Sequence, residues 1–163
     1  MSTLQQTEVQ TYRVYLKATP EQIWTALTRS DWTQRYGYGG RIDIDTRQGG
    51  VFRQYASEAM VGPGVSMVVV EGEVIEAEPN TRLALTWRMI GDPGMAAEPP
   101  SRLTYEIGQD ERGLTTLTVT HDVADAPQTA ALVGGALPGT GGGWSFVLSD
   151  LKSLLETGTG VAG

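Results

Sequence analysis

The sequence predicts an α+β domain in which a seven-stranded antiparallel sheet packs against one long C-terminal helix. Three observations predict it. Seven segments with strand-like alternation or composition lie between Val9 and Val123, the links between them are short and rich in turn-forming residues, and the chain closes on a strongly amphipathic stretch. Short links imply antiparallel neighbours, because a parallel pair needs a crossover of about a dozen residues or more.

The first segment, Val9 to Lys17, alternates: Tyr12, Val14 and Leu16 share one face and Arg13, Tyr15 and Lys17 the other. TPEQIWTALTRS then carries a helix-start signature. Thr19 can cap, Pro20 suits the first helical position, and Gln22 completes a capping box. Ile23, Trp24 and Leu27 give this helix an apolar side, and Ser30 with Asp31 restarts a second short one running through Trp32 to Tyr36. RIDIDTR, VFRQYASEAM, VSMVVVEGEVIEAE, RLALTWRMI, RLTYEIG and LTTLTVTHDV follow as strands. Their longest separator, GDPGMAAEPPS, is expected to form a lid or rim.

In the last element Trp144, Val147, Leu148, Leu151, Leu154 and Leu155 form one apolar stripe, away from Ser145, Ser149, Lys152, Ser153 and Glu156. Its natural partner is the sheet. Glycines fill six of the ten preceding positions, namely Gly134, Gly135, Gly139, Gly141, Gly142 and Gly143. Glycine accepts unusual dihedrals, so this tract reads as a gate or hinge at the start of the helix. GTGGGW has no Walker-type lysine, which argues against a phosphate loop.

Composition narrows the partners. With 12 basic against 19 acidic residues the net charge is -7, so neither nucleic acid nor an anionic membrane is an expected partner. There is no cysteine, hence no disulfide or thiolate chemistry, and a single histidine makes a zinc centre improbable. MSTLQQTEVQ lacks the basic and apolar regions of a secretion signal, and no apolar run approaches the ~20 residues of a membrane span. The expectation is a cytoplasmic single domain over 1–163, with its core at about 9–158 and a flexible tail at 159–163. No cofactor or metal is expected, and the chain reads as a monomer or homodimer.

VYLKATPEQIWTALT, VVVEGEVIEAEPNTRLALTWR, SRLTYEI, TTLTVTHD and GWSFVLSDLKSLLETG, in this order, resemble the AHSA-like branch of the SRPBCC (START / Bet v-type) helix-grip superfamily. The likeness runs from about Val9 to Gly158. It implies a sheet wrapped around the last helix, two short helices after the first strand, and a cavity between helix and sheet. The superfamily spans lipid and hormone carriers, polyketide cyclases and aromatases, and chaperone co-factors, so the resemblance implies a pocket and leaves its contents open. QRYGYGGR replaces the tryptophan pair of many relatives, and this departure borders the implied cavity mouth.

Alternation proposes the cavity wall. Leu83, Leu85, Trp87 and Met89 share a face, as do Leu103, Tyr105 and Ile107, and Leu117, Val119 and His121. Val68 and Val70 lead a further inward row, in which Ile75 breaks the register and points to a bulge. Trp32, Tyr36, Tyr38, Tyr55, Trp87, Tyr105 and Trp144 offer flat apolar walls with polar tips, completed by Leu148 and Leu151 from the helix. Arg53, Arg88 or Arg102 could anchor a carboxylate if one faced inward.

His121 has two readings: an acid/base or donor in the pocket, or a structural residue ending the last strand. The leading function is non-catalytic binding of a hydrophobic, polycyclic or aromatic small molecule. The resemblance adds natural-product biosynthesis or enediyne-type self-resistance, in which the glycine tract could be cut in place of DNA. The alternatives are a cyclase/aromatase-like enzyme, with His121 as its weak catalytic candidate, and a chaperone ATPase-activator-like module.

Overall fold

A computed structural model describes residues 8–161 of the chain. Its elements in order are β1 (Val9–Leu16), α1 (Pro20–Thr28), α2 (Ser30–Thr33), β2 (Ile42–Ile44), β3 (Val51–Tyr55), α3 (Glu58–Val61), β4 (Val68–Glu78), β5 (Arg82–Met89), α4 (Pro93–Ala96), β6 (Ser101–Gln109), β7 (Thr115–Asp122), α5 (Pro127–Val133) and α6 (Gly143–Thr157). Seven strands form one sheet in the order β1-β7-β6-β5-β4-β3-β2, every neighbouring pair antiparallel. The first strand lies beside the last, and β2 to β7 follow one another across the sheet as consecutive antiparallel neighbours.

Each element follows from local chemistry. The Thr19 side chain accepts from Gln22 N while the Gln22 side chain accepts from Thr19 N, the reciprocal box that starts α1. In β4 the register against β5 shifts between Val74 and Glu76, the bulge that Ile75 called for. Gly158, at φ 86, ends α6 with its N–H on the Leu154 carbonyl, a left-handed cap that glycine adopts without steric cost.

One cluster of buried side chains joins the inner sheet face to the helices, taking Leu83, Leu85, Leu103, Leu117 and Val119 from the strands and Trp144, Leu148 and Leu151 from α6. The far end of α6 is tied to β1: Lys152 Nζ donates to the Tyr15 carbonyl, and Glu156 accepts from Lys17 N at 2.8 Å.

Several expectations are corrected. EAM does not extend β3, because Ser57 and Glu58 open the short α3. GDPGMAAEPPS contains α4, capped by Asp92, and contributes nothing to the cavity described below. Its Glu98 instead accepts from Gln128 N, Thr129 N and Thr129 Oγ1, placing a carboxylate at the start of α5. Residues 159–161 of the expected flexible tail lie against α6, where buried Asp150 accepts from Val161 N at 2.7 Å and Ser153 Oγ donates to the Thr159 carbonyl. The leader reading rests largely on residues 1–7, which lie outside the described residues, as do 162–163 of the expected tail.

Candidate functional site

A cavity of about 220 Å³ lies between the inner sheet face and the N-terminal turns of α6. Period-two alternation on β5 lines one side with Leu83, Leu85, Trp87 and Met89, and Tyr105 extends that wall from β6. Trp144 and Val147, one helical turn apart, face it from α6. The cavity sits only at this end because Leu148, Leu151 and Leu154 are buried and fill the space farther along. None of its lining residues carries a charge.

His121 lies behind this wall, fully buried. Trp144 Nε1 donates to His121 Nδ1 at 3.1 Å, which fixes the neutral ring as the Nε2–H tautomer. Nε2 then donates to Ser101 Oγ at 2.8 Å, and Ser101 Oγ donates to the Trp87 carbonyl at 2.7 Å. Burial pulls the His121 pKa down to about 4, against a smaller opposing effect of Asp122. Both ring nitrogens are therefore occupied and the ring is neutral near pH 7, an orienting part for two tryptophans rather than a free proton carrier. The cavity-wall reading of His121 is corrected accordingly.

Two tyrosine hydroxyls serve the walls. Tyr36 Oη donates to the Ala26 carbonyl at 2.7 Å, and burial, with Tyr105 nearby, pushes its pKa above the usual phenol range. Tyr38 Oη accepts from Gly143 N at 3.0 Å and donates to the Thr140 carbonyl at 3.2 Å. Tyr38 thus caps the otherwise uncapped start of α6 from the loop after α2.

The glycine tract is more tightly built than a free hinge. Gly134 N bonds the Ala130 carbonyl and ends α5. Gly135, Gly139, Gly141, Gly142 and Gly143 all have positive φ. A Cβ on Gly143 would collide with the Val133 carbonyl, and one on Gly135 with that of Gly142. Backbone lies on backbone here, and of the six glycines only Gly143 borders the cavity.

Of the sequence-derived residues, Tyr36, Tyr38, Trp87, Met89, Tyr105 and Trp144 come together around the cavity, and Trp32, Tyr55, Val68, Val70, His121, Leu148 and Leu151 do not. Tyr55 was placed by its chemistry against its parity. Phe52 and Gln54 share the inward face, while Tyr55 turns out, donates to Asp43 at 2.6 Å and lies under Arg41. Trp32 packs at the edge of the core beneath Arg35. Val70, though inward, is wholly enclosed by core, and Val68 is half-buried at the strand's start.

No arginine anchor exists among the cavity residues; Arg88 pairs with Glu71 at 2.8 Å, while Arg53 and Arg102 are exposed. Leu132 and Val133 were missed because α5 is a seven-residue helix, marked only by Pro127 and the spacing of Ala130 and Val133. Among the described residues no group of three or more His, Cys, Asp or Glu is placed to hold a metal ion. None of their helices is long and apolar enough to cross a membrane.

The family model described as "Activator of Hsp90 ATPase homolog 1-like protein" (AHSA1) matches residues 17–156. The chain belongs to this family. AHSA1 proteins are members of the SRPBCC superfamily, and solved structures agree with the fold. A protein from Rhodobacter sphaeroides matches at 25% identity and TM-score 0.66, covering 90% of this chain and 91% of that one. CalU16 from Micromonospora echinospora matches at 20% identity and TM-score 0.64, covering 92% of this chain and 77% of that one. DynU16, a protein in the dynemicin biosynthetic locus, matches at 22% identity and TM-score 0.63, covering 93% of this chain but 48% of its own. No curated protein sequence matches the chain.

Proposed function

We propose that this AHSA1-family chain binds a hydrophobic aromatic small molecule between α6 and the sheet without transforming it. The observation that carries the reading is the uncharged, aromatic-walled cavity of about 220 Å³. An apolar cavity of ~150 Å³ accepts benzene, so this one has room for about two fused rings before its mouth must move. The hydrogen-bonded state of His121 argues against proton transfer at the wall, and hence against the cyclase-like alternative. Fold likeness to DynU16, a protein of the dynemicin biosynthetic locus, supports a natural product as the class of ligand; sequestration in self-resistance is the use we propose for such binding.

Calorimetric titration with naphthalene tests this. One saturable site is expected in the native chain, and none in Val147→Phe, whose added ring would occupy the space. Equal binding to both would reject the cavity as the site.

A second reading draws support from the family description and from α3 with its following loop, where Met60, Val65 and Met67 are 63%, 50% and 42% exposed. Exposed apolar side chains so close in sequence can serve as a contact for a protein partner such as an Hsp90 ATPase. That reading requires the chain to accelerate Hsp90 ATP hydrolysis and a serine triple variant at these positions not to; no acceleration by the native chain ends it.

A further inference from the structure

The walls of the cavity hold a specific pattern of hydrogen-bonding groups. Tyr36 and Tyr38 spend their hydroxyl protons on backbone carbonyls, as do Thr33, on Gly40, and Thr140, on Leu137. Tyr105 Oη, by contrast, has no hydrogen-bond partner among the described residues, and neither has Trp87 Nε1, whose residue is engaged only through its carbonyl. Every enclosed side-chain nitrogen or oxygen among those residues does have a partner, so these two groups, both on residues that line the cavity, are not sealed into the core; the half-buried Gln54 amide on the same lining is likewise without a side-chain partner among the described residues. Desolvation raises the Tyr105 pKa above the usual phenol range, which keeps it a neutral donor throughout the physiological range.

The two groups also have a spacing. Tyr105 pairs across the ladder with Leu83 and Trp87 with Ser101, so their backbone positions differ by four residues along β5, about 13 Å at ~3.3 Å per residue. Tyr105 with Leu83 therefore stands toward one end of this wall and Trp87 toward the other, with apolar Leu85 between them. An ionised ligand would meet no opposite charge there, and burying an unpaired charge is far costlier than burying a neutral polar group.

Resting on the cavity-binding reading above, we infer that the ligand is a neutral, flat aromatic carbonyl compound of the aryl ketone or quinone class, with one oxygen accepting a hydrogen bond from Tyr105. A carbonyl oxygen supplies an acceptor for the Tyr105 hydroxyl, and its ring fills the space between the β5 wall and Trp144. A hydrocarbon of the same size fits but leaves the Tyr105 hydroxyl unpaired; a carboxylate supplies the acceptor together with an uncompensated charge.

The test uses the full chain and three probes of one ring size: naphthalene, naphthoquinone and naphthoate. The absence of cysteine removes thiol addition to the quinone as a complication. Tyr105→Phe should weaken naphthoquinone binding by roughly three- to tenfold more than it changes naphthalene binding, the effect of one neutral hydrogen bond. Naphthoate should bind at least tenfold more weakly than naphthoquinone. In the unaltered protein the infrared carbonyl stretch of bound naphthoquinone should move to lower frequency, and this decides the matter even if the variant folds poorly. Equal effects of the substitution on quinone and hydrocarbon, an unshifted carbonyl, or naphthoate binding as tightly as the quinone would overturn the inference while leaving the cavity reading intact. Failure of all three probes to bind the native chain would remove both.

Discussion

His121 accepts through Nδ1 and donates through Nε2, so a second ring proton has no acceptor to meet. Its pKa of about 4 in the folded chain lies below the ordinary 6.5, and the unfolded chain therefore takes up the proton first as acid is added. The neutral ring contributes full stability above pH 6.5, and that contribution is lost as pH falls toward 4. The loss should reach about 2 kcal/mol by pH 5. Urea unfolding at pH 7 and pH 5 measures it, and His121→Gln, which does not titrate, should flatten the difference. Carboxylates held below their usual range by partner arginines, such as Asp45 and Asp110, release their own stabilisation at lower pH and leave this window clear. None of the His121 partnership was legible in the sequence, because Ser101 and Trp144 are 20 and 23 residues away and nothing in local pattern joins them.

At the scale of elements, legibility follows periodicity. The sheet and α6 could be read because strand alternation and the helical stripe repeat over eight or more residues in most elements, and even the β4 irregularity left its mark at Ile75. Short α3, α4 and α5 have too few turns to show a stripe, although α5 supplies Leu132 and Val133 to the cavity. The glycine tract was read as loose from composition, whereas its glycines are needed for positive φ and for close approach of α5 to α6. Gly143, at φ 67, combines both requirements. Gly143→Ala should cost about 2–4 kcal/mol in thermal or denaturant unfolding, the sum of a left-handed side chain and a collision with the Val133 carbonyl. An alanine tolerated without loss would restore the picture of a slack hinge.

Over the whole molecule, charge and cavity are kept apart. Arg82 with Glu76 and Glu106, and Arg88 with Glu71, are partly exposed pairs worth only ~0–1 kcal/mol each, so they keep the surface soluble more than they hold the fold together. Stability rests on the cluster between sheet and helices, and the cavity is the part of that interface that α6 leaves unfilled where Trp144 and Val147 replace the leucines farther along. Alternation indicated which strand residues face inward, but not where their volumes fall short of filling the space. That shortfall depends on the summed packing of the seven strands and six helices among the described residues. The most direct measurement of the central claim is a crystal of the full chain soaked with bromonaphthalene and recorded at the bromine edge. The account predicts a single anomalous peak between Trp87, Tyr105 and Trp144; a peak confined to the outer surface, or side chains collapsed into that space with no bromine present, would contradict it.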